Sequence, residues 1–253
     1  MPPLAKGVLS NLSGRKNETF EVSVISPLSG ALNNCERDLA YSFDDGPSIY
    51  HGEVEMLFDN AKAKYTSFVN GMNWSCIYDE NNVQSLRKAV AAGHQIGSHT
   101  WSHAHLNSLT PEQQDLEIER LEEALWKIIG RVPAYFRPPY GECDKNCVER
   151  LNKKHGLTVV TWDVDSGDSV GASPSASIAT LNALKYPQAH MPLSHETYQS
   201  SVETVAPAVV PSLQKQGYKL MTIQQCLGGK VPPYKIIGKP QERDETWTCA
   251  NNV

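Results

Sequence analysis

Two adjacent carboxylates, Asp44 and Asp45, close an apolar run, Leu39-Ala40-Tyr41-Ser42-Phe43, and Gly46-Pro47 turn the chain directly after them. Neighbouring carboxylates repel unless a cation, a basic partner or both offset the repulsion. His99 and His103 are four residues apart, a spacing that puts two imidazoles on one face of a helical turn, within reach of one cation. Two histidines and one carboxylate leave a coordination position open, as catalytic rather than structural zinc sites do. No His-Glu-x-x-His occurs, so the zincin arrangement is excluded. Other apolar segments also run into charged or imidazole groups: Arg137-Pro138-Pro139-Tyr140, Asp165-Ser166-Gly167-Asp168 and Leu193-Ser194-His195-Glu196. Such groups at an apolar boundary are costly unless they have partners or a function. Between them they offer groups that could hold a cation, take a proton from a water beside it and return one to a leaving group.

Those residues must be positioned by regular elements. Short apolar runs predict strands at 39–43, 65–69, 95–97, 134–136, 157–162, 190–194 and 218–221, and Phe20-Glu21-Val22-Ser23-Val24 alternates like a short strand. Helices lie between them. Val54, Leu57 and Ala61 mark one, and Val83, Leu86 and Val90, stopped by Gly93, mark another. The clearest starts at Thr110 as N-cap, with Pro111 at the first helical position and Gln113 in the capping-box place; Ile118, Leu121, Leu125 and Ile128 form its apolar face and Gly130 ends it. A further helix spans about Val202 to Gln216, before Gly217. About seven strand–helix units in series imply parallel strands with helical crossovers, and a closed or nearly closed TIM-like barrel fits them better than an open sheet. In such a barrel chemistry sits at the C-terminal ends of the strands, where the polar groups above stand. From Gly228 onward the chain is unpatterned and is expected to wrap the surface.

Composition narrows the class. The 253 residues suit a single domain, and 23 basic against 28 acidic residues give a net charge of -5, which leaves no broad basic footprint for nucleic acid. No apolar run approaches the roughly 18 residues of a membrane span. Six cysteines fit disulfides or a metal cluster; Cys143 and Cys147 suit a local bridge or two positions on a helix face, while Cys35, Cys76, Cys226 and Cys249 lie far apart. Sequons stand at Asn11, Asn17 and Asn73. Met1 to Lys6 contain no apolar signal core, so the chain reads as a mature secreted form, extracellular or in the cell wall, with its signal removed.

With these residues in order, the chain resembles the polysaccharide deacetylases of carbohydrate esterase family four, the NodB homology domain, and is most similar to fungal chitin deacetylases. Five motifs between about Cys35 and Leu227 carry the resemblance. It implies an α/β fold, a distorted TIM-like (β/α)7 barrel, in one catalytic domain over 35–228, with 1–34 packing on it and 229–253 as a surface tail. In Ser42-Phe43-Asp44-Asp45-Gly46-Pro47 it implies Asp44 as general base and Asp45 as metal ligand, with His99 and His103 as the other two ligands and Thr100 or Ser102 supporting their loop. It implies that Arg137 holds the base, that the Tyr140 backbone N–H binds the oxyanion, that Asp168 tethers His195 as general acid, and that Leu193 lines the acetyl-methyl pocket. The implied cofactor is a divalent metal, Zn2+ first and Co2+ or Mn2+ otherwise; the implied partner is chitin or its oligosaccharides, acted on by a monomer. The family pattern also implies bridges Cys35–Cys226 and Cys143–Cys147, with Cys76 and Cys249 as the remaining pair.

Ser42 replaces a threonine of the pattern, and Ser169 stands where the family places an aromatic, so one cleft wall must come from elsewhere or be open. Trp101 and Trp74 could stack on sugar, although a core position suits each as well. His105 makes a further spacing with His103 and is read as solvent-facing or supporting; His51, His94, His155 and His190 are read as structural. Acetylxylan or peptidoglycan deacetylation is the alternative within the family. Outside it, Gly167-Asp168-Ser169-Val170-Gly171 matches the nucleophile elbow of serine esterases, but the order of acid and histidine after Ser169 is wrong and no glycine-rich oxyanion loop precedes it. A secreted, non-catalytic chitin-binding protein is the third reading; it has no use for a base, an acid and three ligands together.

Overall fold

The computed structural model describes residues 20–23 and 26–250; the Asn11 and Asn17 sequons, and Val24 of the first alternating segment, lie outside them. Eight short strands form one parallel sheet in the order β2 (Ala31–Leu32), β8 (Thr158–Val160), β7 (Tyr135–Phe136), β5 (Gln95–Ser98), β4 (Thr66–Val69), β3 (Ser42–Gly46), β10 (Pro192–His195) and β9 (Val164–Asp165). The two edges meet through the chain itself. Residues 161–163 run directly from β8 to β9, with Thr161 N–H donating to Leu32 O at 2.7 Å on one edge and Asp163 N–H to Met191 O at 3.4 Å near the other. The result is the curled, incompletely closed barrel that strand–helix alternation predicts.

The crossovers are α1 (His51–Asn60), α2 (Glu80–Ala91), α3 (Pro111–Ile129), α4 (Lys145–His155), α5 (Pro174–Asn182) and α6 (Ala206–Gln216), with a short α7 (Ile223–Cys226). Local chemistry fixes α3 as read from sequence: Thr110 and Gln113 form both halves of the capping box, and Gly130 ends the helix at φ 63°. A side chain at Gly130 would also meet the Gly238 and Lys239 backbone, 2.6 and 2.5 Å from its Cβ, so this stop doubles as a packing point. The helix foreseen from Val202 begins instead as a π-turn, Ser201–Val205, running into α6. Tyr41 and Phe43, leading into and lying on β3, pack on Val54 and Phe58 of α1 and on Val209 and Leu213 of α6, which sets the barrel wall behind the strand that carries Asp44.

Two expectations differ. Residues 218–221 form no strand: Leu220 makes a single bridge to Leu39, which also bridges His190, so one residue is shared between two neighbours and no ladder extends. The tail after Gly228 is not merely a surface wrap. Tyr234–Ile237 form β11, antiparallel between β1 (Glu21–Val22) and β6 (Arg131–Pro133), and the buried Lys235 ammonium is paired with Glu122 and donates to His155 O at 2.8 Å. Trp247 is buried against Tyr78, and Cys249 is bonded to Cys76.

All three disulfides are formed: Cys35–Cys226 and Cys143–Cys147, which the family pattern implies, and Cys76–Cys249, the pair that remained. Their separations of 191, 173 and 4 residues decide their weight, because cross-linking removes more unfolded-state freedom from a longer loop. Replacing Cys35 and Cys226 by alanine is expected to cost about 3–5 kcal/mol of unfolding free energy, and the same change at Cys143 and Cys147 under about 2 kcal/mol. Denaturant titration of the two double variants checks the order.

Candidate metal centre and acid–base cleft

β3 runs with a bulge at its end: Asp44 pairs with Phe68 and Gly46 with Val69, so Asp45 is an extra residue against β4, at φ 71°. Consecutive side chains of a regular strand point to opposite faces; the bulge lets both carboxylates line one cleft. Among the described non-glycine residues six have positive φ, and four of them, Asp45, Thr100, His103 and Tyr140, stand at this cleft or in the loop that carries its histidines. Backbone strain is concentrated where side chains must be aimed.

The Asp45 Oδ1 atom is buried without a hydrogen bond, 3.1 Å from His103 Nε2 and 3.6 Å from His99 Nε2. The three ligand atoms lie within 4.8 Å of one another. His99 donates its Nδ1 proton to Arg137 O at 2.7 Å, which leaves Nε2 with a lone pair facing the carboxylate. An orphaned carboxylate oxygen and converging imidazole nitrogens fit a divalent cation, and two nitrogens with one oxygen suit zinc chemistry. Burial would raise the Asp45 carboxyl; protons on the facing His103 and His99 nitrogens would hold it far below the usual carboxylate range, and a cation in their place would act in the same sense. Asn70 supports the histidine loop from below, its amide donating to His99 O and, at 3.1 Å, to Thr100 O; Ser102 bonds Glu117 rather than the centre.

Beside this trio, Asp44 is held by a fully buried guanidinium. Arg137 Nη1 donates to Asp44 Oδ1 at 2.9 Å and to Ser42 Oγ at 2.8 Å, Nη2 donates to Thr161 O at 2.7 Å, and the group lies over Phe68 at 4.3 Å. Across the cleft His195, in register with Asp44 on the neighbouring strand, donates Nδ1–H to Asp168 Oδ1 at 2.7 Å, while Asp168 Oδ2 accepts from His195 N–H at 2.8 Å and from Ser201 Oγ of the π-turn at 2.6 Å. Burial opposes charge on His195, but the Asp168 bond and charge, helped by Asp44 and Asp45, push its pKa up to about 9. Burial would raise the Asp168 carboxyl, yet His195 and Ser201 hold it low. The cleft thus contains a carboxylate locked by arginine, a low-pKa carboxylate aimed at two imidazoles, and an imidazolium.

Leu193 and Tyr140 line the cleft, Tyr140 half-exposed and stacked on His105 at 3.9 Å. Trp101 does not. It is 4% exposed in the core with Tyr78 and Leu121, because the turn at Thr100 sends the side chain after it inward, and it is therefore no sugar platform. Trp74, 61% exposed, does line the cleft, with Trp162 and Tyr198, which sequence reasoning missed. Tyr198 follows His195 by three residues and Trp162 lies in the link between β8 and β9; aromatics beside strand ends were the available signal. They supply walls on a cleft whose Ser169 side lacks an aromatic. Ser169 donates its backbone N–H to Asp168, and among the described residues its hydroxyl makes no bond to His195, whose Nδ1 Asp168 occupies; the nucleophile-elbow reading is without its base.

The comparisons with known proteins agree with this geometry. Fold and cleft define a hydrolase of the metal-and-histidine type, and the polysaccharide deacetylase family matches residues 31–160, so the chain belongs to that family. It is 33% identical over 191 residues to a chitin deacetylase of a Pestalotiopsis species, covering 75% of this chain and 63% of that one. The solved structure of the chitin deacetylase from the fungal pathogen Colletotrichum lindemuthianum superposes with a TM-score of 0.77 at 27% identity, over 87% of this chain and 99% of that one. A family 4 carbohydrate esterase from Streptomyces lividans, solved with acetate, gives 0.65 at 28% identity, over 82% and 100%.

Two outcomes follow from the separation of ligand and base. Asp44→Asn is expected to keep one metal per chain and lose turnover by about 10²–10⁴-fold, whereas Asp45→Asn should lose the metal; metal analysis of dialysed protein distinguishes them, and metal loss in Asp44→Asn would reassign it as a ligand. The second concerns pH. An acid works while protonated, so kcat/KM on an amide should fall on the alkaline side no higher than about pH 9, and a cation beside Asp44 and Asp45 draws that limb lower by offsetting their charge. Asp168→Asn should move it towards the ordinary imidazole value of about 6.5; an unmoved limb in the pH–rate profile would remove His195 as the acid.

Proposed function

We propose that the protein hydrolyses N-acetyl groups of N-acetylglucosamine residues in chitin or chitooligosaccharides, giving chitosan and acetate, as a secreted enzyme using a divalent metal, Zn2+ first among candidates. The observation that carries this reading is the meeting of the Asp44–Arg137 pair, the Asp45–His99–His103 trio and the His195–Asp168 pair in one cleft of about 510 Å3. Three disulfides with no free cysteine among the described residues suit an oxidising compartment. The chitin deacetylases among its relatives point to the substrate.

Asp45, His99 and His103 would hold a cation, which would supply Lewis acidity, lowering the pKa of water and attracting oxyanion charge. Asp44 takes the proton from the attacking water, and Arg137, donating to its Oδ1, keeps that carboxylate aimed. The backbone N–H of Tyr140 completes the oxyanion site. His195 gives its Nδ1-tethered ring's Nε2 proton to the amide nitrogen as the C–N bond breaks, so acetate carries away the water oxygen and the sugar leaves as an amine. Leu193 provides an apolar floor for the acetyl methyl, and Trp74 offers a stacking face for a sugar ring. The uncharged polymer needs no basic groove, in keeping with the net charge of -5.

Acetate release from chitin oligomers, chitosan, acetylxylan and peptidoglycan tests the substrate; release from chitin oligomers above the others, abolished by a chelator, is expected, and preference for peptidoglycan would transfer the proposal to that polymer. A dedicated acid matters most when the leaving group is an amine. His195→Ala should therefore reduce amide turnover by about 10²-fold or more and spare aryl acetates, and equal losses would count against its role.

A further inference from the structure

The strand that delivers His195 places a second ionisable residue directly behind it. Glu196 is fully buried, and because side chains alternate along β10 and beyond, its carboxylate points away from the cleft, under the turn that follows Asp45. Its oxygens are saturated. Oε1 accepts from Ser48 N–H at 3.0 Å and from His51 Nδ1 at 2.8 Å, while Oε2 lies 2.9 Å from the same nitrogen and accepts from Ser67 Oγ at 3.0 Å. The backbone repeats the tie: Glu196 N–H donates to Asp44 O at 3.3 Å and Ser48 Oγ donates to Glu196 O at 2.9 Å. One residue thus joins the acid's strand to the base's strand, to β4 through Ser67 and to the first residue of α1 through His51.

The carboxylate also presses on Gly46. A Cβ built there would lie 2.3 Å from Oε1, so only glycine can follow Asp45 while Glu196 holds this place. Asp45 itself is the bulged residue at φ 71°, a conformation that an aspartate keeps only if its surroundings impose it. A buried ion pair is a weak source of stability, since desolvation offsets most of its attraction. What this pair does supply is location: three donors from two elements converge on a carboxylate that abuts the bulge.

We propose that Glu196, with His51 as its hydrogen-bonded partner, is a positioning residue for the metal trio, fixing the bulge that aims the Asp45 carboxylate at His99 and His103. It touches neither substrate nor the ligand atoms and acts through the Gly46–Ser48 backbone. His51, read from sequence as merely structural, is the first residue of α1 and brings both a donor and the helix N-terminus to the carboxylate. The inference rests on reading Asp45, His99 and His103 as metal ligands.

Its test is zinc affinity, measured on folded protein by chelator competition. Glu196→Gln keeps the volume and removes the charge, and is expected to weaken zinc binding by about 10–100-fold, the usual cost of disturbing groups that orient ligands. Should that variant not fold, the His51 pair decides. His51→Asn, whose amide can stand where Nδ1 stood, should bind within about threefold of the wild type, and His51→Ala should lose about tenfold or more. If a folded Glu196→Gln, or His51→Ala, binds zinc within twofold of the wild type, the role is only structural and the proposal is overturned, even where the melting temperature has dropped. A wild-type protein that takes up no zinc overturns the metal reading itself, a result distinct from zinc uptake that is equal in all variants.

Discussion

The site depends on one extra residue. Had β3 continued its pleat through Asp44 and Asp45, one carboxylate would face the cleft and the other the helices packed behind the sheet. The bulge, with Asp45 at φ 71° and Gly46 back in register with Val69, turns both to the same side. Two carboxylates on one wall cannot both be ionised without compensation, and the remaining charged groups divide between them. Arg137 takes Asp44, and the two imidazoles face Asp45. The two carboxylates, the proposed base and the proposed ligand, are made different by their partners although they are adjacent in sequence and identical in type.

That division explains why groups from so many strands are required. A parallel barrel offers its strand ends at one rim, and each contributes a single correct direction: β3 the carboxylates, the turn after β5 the histidines, the end of β7 the arginine, β10 the imidazole of His195. Arg137 is informative in this respect. Its Nη atoms tie Asp44 on β3 to Thr161 in the link that spans the seam of the sheet, and its backbone carbonyl orients His99. A single residue at the end of a two-residue strand therefore couples Asp44, His99 and the closure of the barrel.

Where sequence reasoning succeeded, the signal was local. The Thr110–Gln113 cap and the Gly130 stop are set by residues within one element and stand as read, and most of the strand–helix alternation does too, the segment at 218–221 excepted. Charged groups at strand ends were legible because burial makes them expensive. What escaped depended on distant partners. The strand at Tyr234–Ile237 is four residues long, preceded by two prolines, and exists because β1 and β6 sandwich it and Glu122 accepts its lysine. Trp101 sits between two cleft-loop residues, and only the left-handed turn at Thr100 decides that it faces the core. The pairing of His51 with Glu196 spans 145 residues, so neither could announce the other.

The histidines of the cleft show how one side chain type is given opposite surroundings. His99 and His195 each spend Nδ1–H on an acceptor 2.7 Å away, which leaves Nε2 as the working atom in both. The acceptors differ in charge. Arg137 O is a backbone carbonyl: it fixes the tautomer and brings no full negative charge, so Nε2 is free to present a lone pair to a cation. The Asp168 carboxylate brings a charge that favours the imidazolium, and the π-turn hydroxyl of Ser201 steadies that carboxylate from its far side. The protonation that each imidazole favours is therefore set by what stands behind it, a carbonyl at one strand end and a carboxylate at another, as much as by the imidazole itself, and the proposed division into ligand and acid rests on that difference.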